Sequence, residues 1–204
     1  MNNSGAINAG IRIEIFSVLW MVLEFIIAVY SGIAAHSLLF IAFGLDSFIE
    51  LVSGVVLIWR LRVEQHGTDA VKIERAERVS SRVVGLALLL LAAYVLITSV
   101  LNLFSHHSAE TSFLGISLAV GSVILMPLLM IGKKRIAKII GSNALAEDGM
   151  CNLVCAYMAF TVLLGAGLTA LFNWWWADSV FALILVYFIF SEGWEGLHPE
   201  EDEE

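Results

Sequence analysis

Six long hydrophobic runs, separated by short polar links, dominate this chain, and no soluble core can hide that much apolar length. About 20 consecutive apolar residues carry a helix across a bilayer. Runs of that kind lie at 13–34, 38–59, 82–104, 112–132, 144–171 and 176–192. The fold class that follows is an all-α integral membrane protein, a six-transmembrane-helix bundle. Residues 1–192 are expected to form the transmembrane domain and 193–204 a short acidic tail ending in HPEEDEE. The chain is 59% hydrophobic and only 15% charged, far from the usage of a soluble domain. Its opening, MNNSGAINAG, is polar and uncharged, so no cleaved signal peptide is expected.

The charges have a direction. All 11 basic residues, Arg12, Arg60, Arg62, Lys72, Arg75, Arg78, Arg82, Lys133, Lys134, Arg135 and Lys138, fall on one side if the chain crosses six times. Basic loops mark the cytoplasmic face. Both termini are therefore expected in the cytoplasm, with the protein multi-pass in a cell inner (plasma) membrane. Trp20, Trp59, Trp174 to Trp176 and Trp194 lie near the expected interfaces, as an aromatic belt does. No glycine-rich phosphate cradle and no nucleophile–base pair is visible. Neither an enzyme, nor a prosthetic group, nor a nucleic-acid partner is expected.

Five acids lie at or near membrane depth: Glu24, Asp46, Glu50, Glu147 and Asp148. The ordinary partner of a buried acid is a lysine or arginine. Here every basic residue falls in a loop or at a helix end, so no fixed cation is expected among the acids. Protons or a travelling metal ion must then neutralise them. Asp46 and Glu50 are four residues apart, and so are Cys151 and Cys155. Each pair shares one face of a helix.

Counted from Arg60, Asp46 lies 14 residues up its helix, about 21 Å at ~1.5 Å per residue; counted from Lys138, Cys151 lies 13 residues up, about 20 Å. The two are expected at one height, with Glu50 level with Asp148. Asp46, Glu50, Cys151 and Cys155 then make a four-coordinate metal site, which Asp148 joins or enters in place of one ligand. Glu147 is a weaker candidate. Mixed oxygen and sulfur donors suit tetrahedral zinc. Thiolates admit cadmium, and carboxylates argue against a copper(I) site. Buried cysteines that act only as small apolar residues are the alternative.

The segment GIAAHSLLFIAFGLDSFIELVSG resembles the second helix of the cation diffusion facilitator (cation efflux) family. There a Gly-x-x-x-x-Ser-x-x-x-x-Ala lead-in, here Gly32, Ser37 and Ala42, precedes a metal-binding pair, here Asp46 and Glu50. SNALAEDGMCNLVCA resembles the family's fifth helix, and WADSVFALILVYFIFSEGW its sixth. Asp148 falls on the fifth helix's leading Asp, Cys151 on its metal-binding His and Cys155 on its metal-binding Asp. Two cysteines in place of His and Asp are a departure that bears on metal choice. A second departure is expected: a short member lacking the cytoplasmic C-terminal domain.

The resemblance implies export of a divalent metal cation by proton antiport and alternating access, with metal ion and protons as substrates. The protein is then a homodimer formed through the membrane domain. A manganese or iron exporter and a non-transporting metal-responsive regulator are the alternatives. Lesser candidates are Glu24 as a relay or structural acid, a loop group of Glu64, His66 and Asp69, and an outer group of His106, His107 and Glu110. His36 reads as structural, and the HPEEDEE tail as solvated.

Overall fold

The computed structural model describes residues 3–66, 70–105, 110 and 112–197; within the helices, the side chains of 3–4, 63–66, 70–84, 87, 143–144, 147, 192 and 195–196 lie outside the description. The Glu64, His66 and Asp69 group, His106, His107, the side chain of Glu147 and the terminal tail fall outside it. The described chain is six helices: α1 Asn3–Ala34, α2 Leu38–His66, α3 Ala70–Ser105, α4 Phe113–Ile140, α5 Asn143–Phe172 and α6 Ala177–Leu197. Among the described residues there is no strand.

Five of these helices are long and apolar enough to cross a membrane. The apolar stretch of α6, Ala177–Ser191, is shorter than the others. The polar connection expected between the second and third runs is almost entirely helical, because α2 continues to His66 and α3 begins at Ala70.

The α1 helix shows how membrane helices sort their faces. Phe16, Leu19, Leu23, Ile26, Tyr30 and Ile33 are half exposed or more. Their spacing of three and four residues makes one lipid-facing stripe. Glu14, Ser17, Met21, Glu24, Ala28 and Ser31 repeat the same spacing and are buried. The polar residues of α1 thus point inward, as expected when the solvent outside is hydrocarbon.

The helices pack chiefly as α1 with α2, α4 with α5 and α3 with α6, and α1 also leans on α4. Neighbours in the α1–α2 and α4–α5 pairs run antiparallel. Gly44 approaches Val29 while Gly54 approaches Glu14; Gly149 approaches Lys133 while Asn152 reaches Met126; and Gly193 meets Gly85.

Local signals set the turns. Ser112 caps α4 by accepting the Gly115 amide, and Ser142 caps α5 by accepting the Leu145 amide. Gly141 takes a left-handed φ of 69° between α4 and α5. The α1–α2 turn places His36 at φ 50°, in the left-handed region. Ser37 caps α2 by accepting the Phe40 amide at 3.3 Å and donates its hydroxyl to Asp178. Asp178, at the start of α6, also accepts the Leu38 amide at 3.0 Å. One acid from α6 therefore closes the first turn of α2.

Candidate metal-cation site

Polar groups gather at two heights inside the bundle. At the first, Lys133 of α4 is fully buried. Its ammonium lies 2.9 Å from Glu14 Oε2, contacts Asp148 Oδ2 and donates to Ser17 Oγ at 3.0 Å. Three helices, α1, α4 and α5, meet on this one group. The expectation of no fixed cation among the acids is corrected here. Lysine's four-carbon stem carries its charge well away from its backbone, and Lys133 turns inward rather than out to the membrane surface. Two carboxylates face one ammonium, so the group as a whole remains acid-rich. Gly54 of α2 makes room for it, since a Cβ there would stand 2.8 Å from Glu14 Oε1.

The second height lies ten residues further along α1, about 15 Å at ~1.5 Å per residue. Here Glu24 is fully buried and accepts the Ser122 hydroxyl of α4, while its Oε2 has no hydrogen-bond partner. Asp46 is fully buried and neither of its carboxyl oxygens has a hydrogen-bond partner. The buried Cys155 thiol lies beside the Glu50 carboxyl group, and Glu24 and Asp46 both lie within electrostatic reach of it. Asp46 is likewise within reach of Glu24. Three carboxyl groups and a thiol from α1, α2 and α5 therefore face one region. Among the described residues, no ion pair with lysine or arginine reaches Glu24 or Asp46. Nor is any group of three or more His, Cys, Asp or Glu side chains assembled into a metal-holding cluster. The helices hold these donors near one another without closing them on a point.

Residues 15–198 match the family model of the cation efflux transmembrane domain. The chain belongs to the cation efflux family. The manganese efflux system protein MneS of Bacillus subtilis (strain 168) is 25% identical over 167 residues, 80% of this chain and 57% of that protein. Transmembrane protein 163 of Xenopus laevis is 27% identical over 124 residues, 61% of this chain and 43% of that protein. The chain thus spans about half the length of these curated relatives. Cation efflux family members are transporters, and metal efflux across a membrane is the activity the family carries.

Set against this cation efflux fold, the five sequence-derived candidates separate. Asp46, Glu50 and Cys155 share the second height. Cys151 is exposed on the outside of α5, and Asp148 is held by Lys133 at the first height. The expected levels, Asp46 with Cys151 and Glu50 with Asp148, are off by about two turns, since Glu50 stands level with Cys155. The count from Lys138 treated residues 139–142 as rise, but α4 runs on to Ile140 and the chain reverses at Gly141 and Ser142. Cys151 therefore sits only eight residues above the start of α5 at Asn143, about 12 Å. Cys155, four residues higher, reaches the level of Glu50.

Cys151 faces outward because the buried stripe of α5 passes through Leu145, Asn152, Cys155, Ala159, Val162 and Ala166. Asn152 occupies the inward position beside it. Sequence reasoning missed Glu14, Lys133, Ser122, Asn152 and Asp178. The signal for Glu14 was present: it lies ten residues before Glu24 on the same three-and-four spacing.

Proposed function

We propose that this protein exports a divalent metal cation, zinc in the first place and cadmium with it, in exchange for protons. The observation that carries the reading is that Asp46, Glu50 and Glu24 all lie within electrostatic reach of the Cys155 thiol, with Lys133 engaged elsewhere. Carboxylate and thiolate donors suit zinc. Metal requires them deprotonated, so loading releases protons and protons drive unloading. A site open to the cytoplasm captures metal when deprotonated. Turned outward, the same site loses its metal to the higher proton concentration there. Asp46, Glu50 and Cys155 are the proposed ligands. Rocking of helix pairs about this mid-bundle site supplies alternating access. Positive residues at one end of the bundle favour both termini in the cytoplasm of a cell with the protein in its plasma membrane. A homodimer through the membrane helices is the assembly we infer.

A second reading, manganese or iron export, is favoured by one specific observation. With Cys151 facing outward, a single sulfur remains among oxygen donors, and harder ions prefer oxygen. The name of the Bacillus subtilis relative points the same way.

Transport by the purified chain in proteoliposomes with an acidic lumen tests these readings. Zinc is expected to accumulate inside, to stop when a protonophore collapses the gradient, and to be abolished by Asp46→Ala. Accumulation of manganese but not zinc would select the second reading. Binding of metal with no movement of either would make the protein a regulator and refute export.

A further inference from the structure

Glu24 is the residue of α1 that brings a carboxyl group to the second height; one of its oxygens makes a hydrogen bond, and the Trp20 indole stands within reach of the group. Its Oε1 is anchored by Ser122, and its Oε2 is buried with no hydrogen-bond partner. One helical turn along α4 from Ser122 stands Met126, whose sulfur accepts the Nδ2 amide of Asn152 at 3.3 Å. Successive turns of α4 therefore hold Glu24 on one side and Asn152 on the other. Asn152 is fully buried, and its Oδ1 has no hydrogen-bond partner. Three residues on from it, on the same inward stripe of α5, is Cys155.

Leaving a buried carboxylate or amide oxygen without a donor costs about 1–3 kcal/mol or more per group. Four such oxygens belong to these side chains: one on Glu24, two on Asp46 and one on Asn152. Buried acceptors without donors, on Glu24 and Asn152 held through the other polar atom of the side chain, are what a cation binding with partial dehydration requires.

We propose that Glu24 and Asn152 are direct ligands of the transported cation, supplying two oxygens that complete the set of Asp46, Glu50 and Cys155 in place of Cys151 and Asp148. This rests on the reading that Asp46, Glu50 and Cys155 bind the cargo. It makes α1 a ligand-bearing helix and α4 the splint that presents both new ligands. Ser122 fixes the Glu24 rotamer, and Met126 engages the Asn152 amide nitrogen, leaving its oxygen without a partner. Closure on an ion brings α1 and α5 toward α2, because no three of the acid and thiol groups yet form a metal-holding cluster.

The test is equilibrium binding of cadmium(II) alone to the purified full chain in lipid nanodiscs, in a Cys151→Ser background. There the thiolate-to-cadmium absorption reports Cys155. Loss of outer partners already weakens metal sites by 10–100-fold, so Glu24→Gln is expected to weaken cadmium by at least about tenfold. Glutamine still accepts the Ser122 hydroxyl, so a purely structural role for Glu24 predicts no change. Glu24→Asp should recover part of the loss. Asn152→Leu is expected to weaken binding to a similar degree, and Asn152→Asp, which keeps the oxygen, to retain it. Undiminished binding in Glu24→Gln or in Asn152→Leu, with Asp46→Ala inactive, overturns this inference alone. Undiminished binding in Asp46→Ala overturns the ligand reading on which it rests.

Discussion

Lys133 Nζ lies 2.9 Å from Glu14 Oε2, and both side chains are wholly buried. The pair joins α4 to α1, and Asp148 joins α5 to the same ammonium. It is a fixed cation inside a protein whose proposed work is to pass a mobile one. The lysine's ammonium, level with Glu14 and Ser17, stands about 10–15 Å along α1 from Glu24. The acids at the second height are therefore left without it.

Removing the lysine should be costly. Lys133→Met leaves two buried carboxylates uncompensated, and breaking a buried pair on one side costs about 3–5 kcal/mol. A large fall in the detergent unfolding midpoint is expected. The triple variant Lys133→Met, Glu14→Gln, Asp148→Asn removes all the charges together and should recover most of that loss. A single variant as stable as wild type would show that the pair is not formed.

Gly54→Ala should act on the same group from α2. Its new Cβ would stand 2.8 Å from Glu14 Oε1 and 2.9 Å from Val18. Overpacking of this kind costs about 1–3 kcal/mol. Adding Glu14→Ala to Gly54→Ala should remove the clash with the carboxylate, so a double-mutant cycle of unfolding midpoints should be clearly non-additive.

The two cysteines should part company. Cys151 is exposed and Cys155 buried against Glu50. A membrane-permeant maleimide is expected to modify Cys151 far faster in the folded protein. Transport by Cys151→Ser should stay within about twofold of wild type, while Cys155→Ser loses tenfold or more of its metal affinity. Mass spectrometry of the labelled chain and metal titration check the two halves separately.

Asp178→Ala should loosen the start of α2. It removes the acceptor of the Ser37 hydroxyl and of the Leu38 amide. Loss of a helix cap costs about 0.5–2 kcal/mol. Amide exchange is expected to rise at Leu38 and Leu39 while the middle of α2 stays protected.

Proton release gives the pH dependence its sign. Carboxylate and thiol donors bind metal only when deprotonated. Affinity should therefore rise with pH, and calorimetric titrations in buffers of different ionisation enthalpy should show protons leaving as metal binds. Equal affinity at all pH values would refute coupling at this site.

The membrane class and the helix count were legible in the sequence because hydrocarbon permits little besides closed backbone hydrogen bonding over a long apolar run. The inward faces of α1 and α2 were legible for a related reason: polar side chains such as Glu24, Asp46 and Glu50 cannot turn to lipid. Tertiary structure alone decided where a flexible charge would go. Lys133 belongs by position to a basic helix end, yet packing of α1 and α5 about its long stem draws it to Glu14 and Asp148. It likewise decided that Asn152 rather than Cys151 turns inward from α5. The heights of residues on α5 depend on how much chain the reversal at Gly141 consumes, and spacing along one helix carries no information about that.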